Sequence, residues 1–194
     1  QPDILPVTPE RYKRILLVPV DGPPNPALAF FGAGGGEKAV EILARRLRER
    51  GHEVEVFESA ISRINRLPEE ERGAALQNMY AGKAPIKDFV AKYDLVINVA
   101  QVVGGMQPVE RISWPASKGT PDVPWYVHEI PTIFVSVNCP YHLADAPAVK
   151  CYINTYDPRP VTLDLLLDKL ATGAEAFTGV SPADAFCGLA DTRI

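Results

Sequence analysis

Acid–base, metal and nucleophilic chemistry need histidine, carboxylate, cysteine or serine side chains in workable arrangements, and this chain offers a short set of them. Its three histidines are His52, His128 and His142. Only histidine has an ordinary pKa close to neutrality, so each is a candidate proton shuttle. His128 lies in Trp125-Tyr126-Val127-His128-Glu129 and His142 in Asn138-Cys139-Pro140-Tyr141-His142. Both fall near ends of expected strands, where α/β sheets often place function. Ring stacking or a hydrogen bond to a loop is the commoner use of such a histidine. His52 opens a strand after a helix and is expected at the surface. No Gly-x-Ser-x-Gly exists to build a nucleophile elbow, and Ser136, inside a strand, is expected to be a hydrogen-bonded core residue. No His-x-x-x-His pair, CxxC spacing or acidic calcium loop supports a metal. The three cysteines, Cys139, Cys151 and Cys187, are too few for a disulfide scaffold and read as buried free thiols.

Carboxylates and aromatics remain. The acids expected in loops are Asp21, Glu110, Asp122, Glu129, Asp145 and Asp157. Cleaving a glycosidic bond with retention takes two carboxyl groups about 5 Å apart, and the spacing singles out no such pair. Loop and cap acids are the plain reading. Trp114, Trp125 and Tyr126 sit with His128 in a proline-rich stretch. They could stack on a sugar face, or they could form loop core or an interface. The run Gly32-Ala33-Gly34-Gly35-Gly36-Glu37-Lys38 precedes a helix, whose first amides could cradle a phosphate. Its spacing is wrong for a dinucleotide fingerprint, which follows the first strand directly. It also lacks the Ser or Thr that a phosphate-binding Gly-Lys-Ser/Thr loop requires.

The elements that must position these residues can be read from hydrophobic period. Tyr12–Val20 is a buried strand, stopped by Asp21-Gly22-Pro23-Pro24. Glu37 to about Arg50 is a helix with Val40, Leu43, Ala44 and Leu47 on one face, and Gly51 stands at its C-cap. His52–Phe57 alternates, with Val54 and Val56 on one side and Glu53 and Glu55 on the other. Pro68-Glu69-Glu70-Glu71 opens a helix that runs to about Tyr80, proline and acids suiting its positive end. A short helix, about Pro85–Lys92, leads to a third strand, Asp94–Ala100. Pro131–Val137 and Val149–Thr155 are the fourth and fifth strands. Val161–Leu170 is an amphipathic helix capped near Pro160. The tail, Gly173–Ile194, is expected to be irregular and packed on the surface. Alternating strands and helices with near-continuous apolar strands imply an α/β fold: a three-layer α-β-α sandwich around a mostly parallel sheet.

Bulk properties exclude several classes. A chain of 194 residues, 46% of them apolar, suits one domain with a sizeable core. No run nears the ~18 consecutive apolar residues of a membrane span. Net charge is −4 with no basic stripe, which argues against nucleic acid. The basic run Arg45-Arg46-Leu47-Arg48-Glu49-Arg50 reads as a solvated helix face.

The second half carries a recognisable series. Ile130-Pro131-Thr132-Ile133-Phe134-Val135-Ser136-Val137-Asn138-Cys139-Pro140-Tyr141-His142-Leu143 is followed by Val149-Lys150-Cys151-Tyr152-Ile153-Asn154-Thr155-Tyr156, then Thr162-Leu163-Asp164. The tail runs Phe177-Thr178-Gly179-Val180-Ser181-Pro182-Ala183-Asp184-Ala185-Phe186-Cys187-Gly188-Leu189-Ala190-Asp191-Thr192-Arg193. In order and spacing this resembles the C-terminal domain of glycoside hydrolase family 3, in its two-domain β-N-acetylhexosaminidase branch. The resemblance covers about Ile15 to the end and departs at Ala190, where the family usually has an aromatic residue before Asp-Thr-Arg.

The resemblance implies a (β/α)8 barrel ahead of the sandwich, carrying the nucleophilic Asp and a His–Asp acid/base pair. A barrel takes ~200 residues or more, so none fits before Tyr12 and no catalytic residue transfers to this chain. Residues 1–11 are then expected to be the remnant of an interdomain linker, and residues 12–194 the sandwich. In the β-glucosidase branches the sandwich lends a Glu to the barrel, and Glu110 or Glu129 would be first suspects here. The expected function is a non-catalytic accessory domain whose partner is the barrel of its own parent chain. That parent would act on terminal β-linked N-acetylglucosamine, without a cofactor, metal, nucleic acid or membrane span. It would be bacterial, and either secreted or cell-surface, or cytoplasmic. The alternatives are a carbohydrate-binding module using Trp114, Trp125, Tyr126 and His128 as contacts, and an independent nucleotide-binding α/β protein.

Overall fold

The computed structural model describes residues 4–20, 38–58, 64, 66–81, 86–101, 112, 125–146 and 148–182, with the backbone alone for 76–81, 86 and 125. The stretches 21–37, 102–111 and 113–124, and the tail from 183 on, lie outside the described residues, and with them Trp114, the glycine run up to Glu37, Asp21, Glu110, Asp122 and Cys187.

Five parallel strands form one sheet: β1 (Arg14–Val20), β2 (Glu53–Val56), β3 (Leu95–Ala100), β4 (Thr132–Ser136) and β5 (Cys151–Asn154), in the order β2-β1-β3-β4-β5. The helices are α1 (Ala39–Glu49), α2 (Glu69–Ala81), α3 (Ile86–Lys92) and α4 (Pro160–Thr172). Short 3-10 turns occupy Trp125–His128, Pro140–Asp145 and Ala174–Ala176. Every element expected from the periodicity is present, with ends shifted by a residue or two in either direction, as is usual where helices and strands fray.

The strand period of two divides the interior cleanly. Ile15 and Leu17, Leu95, Ile97 and Val99, and Ile133 and Val135 face one layer, where they meet α1 and α4. Leu16, Val18 and Val20, Val96 and Ala100, and Phe134 face the other, where Phe89 of α3 and Tyr93 just beyond it pack with Tyr126, Val127 and Ile130. That is the reason these strands are apolar on both sides, and it makes the molecule a three-layer α-β-α sandwich. The expected alternation in β2 holds: Val54 and Val56 lean on the α1/α4 core, while Glu53 and Glu55 are exposed.

Local chemistry closes the elements. Gly51, at φ +97°, ends α1 in a backbone region that L side chains avoid. Its amide donates to the Arg48 carbonyl (3.0 Å), and the His52 amide to Leu47 (3.1 Å). Across the layer, Arg46 pairs with Asp164 (3.0 Å) and Arg50 with Asp168 (2.7 Å), tying α1 to α4. At the start of β1 and β3, both Asp94 oxygens receive Arg14, one from its backbone N–H at 2.7 Å and one from its guanidinium at 2.6 Å.

Residues 4–11, expected as linker, lie against the sandwich. Val7 is buried in the α1/α4 core and its N–H donates to the Leu170 carbonyl at 2.7 Å. The Tyr12 hydroxyl donates to Ile4 O (2.8 Å), and Ile4 and Leu5 pack on the same core. His52 corrects an expectation. It is not at the surface but 5% exposed, and its Nδ1–H donates to the Tyr12 carbonyl at 2.7 Å. The reason is the return of the N-terminal segment over the α1–β2 junction, a long-range contact with no local signature.

Desolvation, helped by Lys13 and Arg50, pushes the His52 pKa below 6.5, against opposing contributions from the Tyr12 bond and Glu10. The unfolded chain therefore binds this proton before the folded one does, and His52 adds stability that is lost as pH falls from 6.5 toward its lowered folded value. The urea midpoint is expected to fall between about pH 7.5 and pH 5.5, and His52→Gln to flatten that part of the profile. Parallel profiles for the two proteins would contradict this.

Candidate functional site at the carboxyl edge of the sheet

In a doubly wound sheet, ligands gather beyond the carboxyl ends of the strands, where the strand order reverses. Here that point lies between β1 and β3, since β2 flanks β1 on one side and β3, β4 and β5 follow on the other. Val20 and Ala100 are register partners at this end, and both are buried. Gln101 follows directly. Its N–H donates to the Val20 carbonyl (3.3 Å) and its Oε1 accepts the Ala39 N–H (2.8 Å). Glu41 reaches back to the Lys38 N–H at 3.0 Å. The first amides of α1 are thus met by protein side chains, the role a phosphate would otherwise take.

β4 ends in a buried pair. Ser136 and His142 have no exposed surface. The Ser136 hydroxyl donates to the Cys139 carbonyl in a short bond, and its oxygen lies 2.7 Å from His142 Nδ1. With the hydroxyl proton already given away, Nδ1 must carry its own proton and donate to Oγ. A nucleophilic serine needs the reverse polarity and an open face. This pair is instead a latch that holds the turn 139–146 against the strand. Beside it, the Tyr152 ring stacks on Phe134 (centroids 5.3 Å apart) and its hydroxyl donates to Pro140 O at 3.3 Å. Burial pushes the Tyr152 pKa up to about 12, so this phenol remains a donor.

The described acids are dispersed. Asp157, beyond β5, accepts the Arg159 N–H (3.0 Å), the Thr162 hydroxyl (2.7 Å) and the Arg159 Nε–H (2.7 Å). Those donors, Thr162 foremost, hold its carboxyl below the usual range. The N-cap position of α4 itself is Arg159, with no side-chain bond to the first turn, and Asp157 braces the entry to the helix through Arg159 and Thr162. Asp145 accepts the Ile112 N–H at 3.2 Å. Glu129 lies at the opposite, amino edge of the sheet, just ahead of β4. Among the described residues, no group of three or more His, Cys, Asp or Glu side chains is gathered to hold a metal.

The aromatic candidates separate. The backbone of Trp125 opens the 3-10 turn before β4. Tyr126 is only 9% exposed, its ring stacks on Phe89 (5.6 Å) and its hydroxyl donates to Asn98 Oδ1 at 2.6 Å. It serves the core in this chain. His128 is exposed and lines a hollow of about 180 Å³ with Ile4, Glu129 and Lys150, at the amino edge rather than the carboxyl one. The Tyr126–Asn98 and Ser136–His142 pairs escaped sequence reasoning as pairs. The available signal was a lone polar residue inside each apolar strand, Asn98 in Leu-Val-Ile-Asn-Val-Ala and Ser136 in Thr-Ile-Phe-Val-Ser.

Ser136→Ala strands the Cys139 carbonyl side of the latch and removes the acceptor of His142. An unsatisfied buried polar group costs about 1–3 kcal/mol, and a loss of that size is expected in urea denaturation. A change well under about 1 kcal/mol would mean the latch is not holding the turn.

No family model matches the chain. Across its whole length it is 39% identical to a beta-N-acetylglucosaminidase/beta-glucosidase from Cellulomonas fimi, and it spans 31% of that protein. Among solved structures, the beta-glucoside phosphorylase BglX superposes on all of this chain with a TM-score of 0.68 at 30% identity, the match spanning 30% of the phosphorylase. The same enzyme bound to 2FGlc superposes on 97% of this chain with the same TM-score. The chain spans about a third of the length of these relatives.

Proposed function

We propose that this chain, which takes its place among the C-terminal α/β sandwich domains of glycoside hydrolase family 3, is the accessory domain of a sugar-cleaving parent and carries no bond-breaking group of its own. What supports the reading is the use already made of its described polar groups. The described candidates at the carboxyl edge are committed to structure: Asp157 braces the start of α4, Asp145 holds Ile112, and His142 is latched to Ser136. A retaining mechanism asks for two convergent carboxyls about 5 Å apart, and none of these three groups is placed to supply one. The relatives are about three times as long as the matched segment, which leaves room for a barrel of ~250 residues beside it.

In this reading the partner is a (β/α)8 barrel of the parent chain, with residues 1–11 leading to it. The parent's substrate is a terminal β-linked N-acetylglucosamine. Beta-glucosides, which the relatives' names also carry, are the competing substrate class. The exposed His128, with Trp114 and Trp125, would then be contacts to the barrel or to the sugar it holds. Tyr126 would support them from the core.

Two measurements test this. The purified chain is expected to release no aglycone from aryl β-N-acetylglucosaminides or aryl β-glucosides, with or without inorganic phosphate. Turnover that co-purifies with the chain and survives removal of contaminating glycosidase would overturn the accessory role. Titration with chito-oligosaccharides is expected to leave tryptophan fluorescence unchanged up to millimolar ligand. A saturable shift would favour a carbohydrate-binding module instead.

A further inference from the structure

The N-terminal segment lies over the α1/α4 layer with two seated points. Val7, 3% exposed, enters that core, and its N–H donates to the Leu170 carbonyl at 2.7 Å. Tyr12 is the other, and its carbonyl takes the Nδ1–H of His52 at 2.7 Å. Between these points the segment holds its own shape. The Tyr12 N–H donates to Thr8 O (2.9 Å), the Tyr12 hydroxyl to Ile4 O (2.8 Å) and the Arg11 guanidinium to Leu5 O (2.7 Å). The seat is not tightly filled. A hollow of about 190 Å³ is lined by Val7, Thr8 and Pro9 of the segment and by Leu47, His52 and Leu170 of the layer.

We propose that Ile4–Tyr12 is a pH-sensitive strap, released when His52 takes up a proton while the sheet beneath it stays folded. Nδ1 already carries the hydrogen given to Tyr12, so the second proton goes to Nε2 and puts a charge on a buried ring. The surroundings do little for that charge. Lys13, just ahead of β1, donates to Gly51 O (2.7 Å), and both it and Arg50, at the end of α1, repel a charged ring. Glu10, exposed on the strap, attracts it. The hollow meets α4 through Leu167, Leu170 and Ala171, and Asp168 of that helix is paired with Arg50 (2.7 Å). Burial outweighs the favourable contacts, and the ring's proton affinity lies below the ordinary histidine value. Lifting the strap gives the ring back to water, so the proton favours the lifted form. The sheet is sealed by two apolar layers, whereas the strap is held by a few bonds and one core side chain, which places it at the low-stability end of the fold. On the reading that residues 1–11 lead to a barrel, release would loosen that junction, but the strap itself does not depend on that reading.

Amide exchange of the full chain, corrected for the intrinsic effect of pH, tests this. The Val7 N–H is expected to lose protection by roughly threefold or more between about pH 7.5 and pH 5.5, over the range in which the His52 ring titrates by NMR. The amides of β3 are expected to keep theirs. His52→Gln retains a donor for Tyr12 O but does not titrate, and is expected to make Val7 protection independent of pH. Reciprocally, Val7→Asn unseats the strap and is expected to raise the His52 pKa toward its ordinary value. Should either variant fail to fold, the Val7 and His52 profiles of the unsubstituted chain decide. Constant Val7 protection, β3 protection that falls in parallel with it, or a Val7 profile unchanged in His52→Gln would overturn the proposal.

Discussion

A parallel sheet covered on both faces has its backbone groups satisfied by neighbouring strands and its side chains sealed by two apolar layers. That constraint governs the rest of this molecule. Leu16 must face one core while its chain neighbours Ile15 and Leu17 face the other, and neither side can give up area to a polar group without a partner. Burial at roughly 25 cal/mol per Å² is the force that holds α1, α3 and α4 against the sheet. Solvent-exposed ion pairs such as Arg50–Asp168 orient the helices but contribute little.

Polar residues inside the layers follow from the same constraint. Asn98 enters the α3 core and is met by the Tyr126 hydroxyl. Ser136 enters at the end of β4 and is met by the Cys139 carbonyl and His142. Each pairing joins a strand to the irregular segment beside it, so it fixes where a loop begins. The polar groups near the carboxyl edge thus act on backbone geometry. They set the height of the turn 139–146 and, through Asp145 and Ile112, anchor the long β3–β4 connection at its middle.

The layers were legible in the sequence because burial writes a period. Val54 and Val56 against Glu53 and Glu55, and the stripe Val40, Leu43, Ala44, Leu47, each declare a face, and Gly51 declares a helix end. Strand order was not legible, because β1 pairs with β3 across some eighty residues and nothing local records the register. His52 shows the same limit. Its neighbours read as a polar helix-to-strand junction, and only the return of residues 4–12 buries it. The site candidates divide likewise. Asp157 was legible only as one of several loop acids, and Tyr126 as either loop core or a sugar-stacking aromatic, since the sequence does not show Asn98 and Phe89 claiming it.

The two sheet edges are built for different fates. An open edge invites pairing with another chain, and exposed charge is a common defence. β2 has that defence: Glu53 and Glu55 point outward, and Glu55 is bridged to Lys92 at 2.7 Å. β5 has none of it, its four residues being Cys, Tyr, Ile and Asn. An edge without charge, lined by Tyr152 and Phe177 and holding an Asn154 oxygen that has no hydrogen-bond partner among the described residues, lacks the defence that β2 carries.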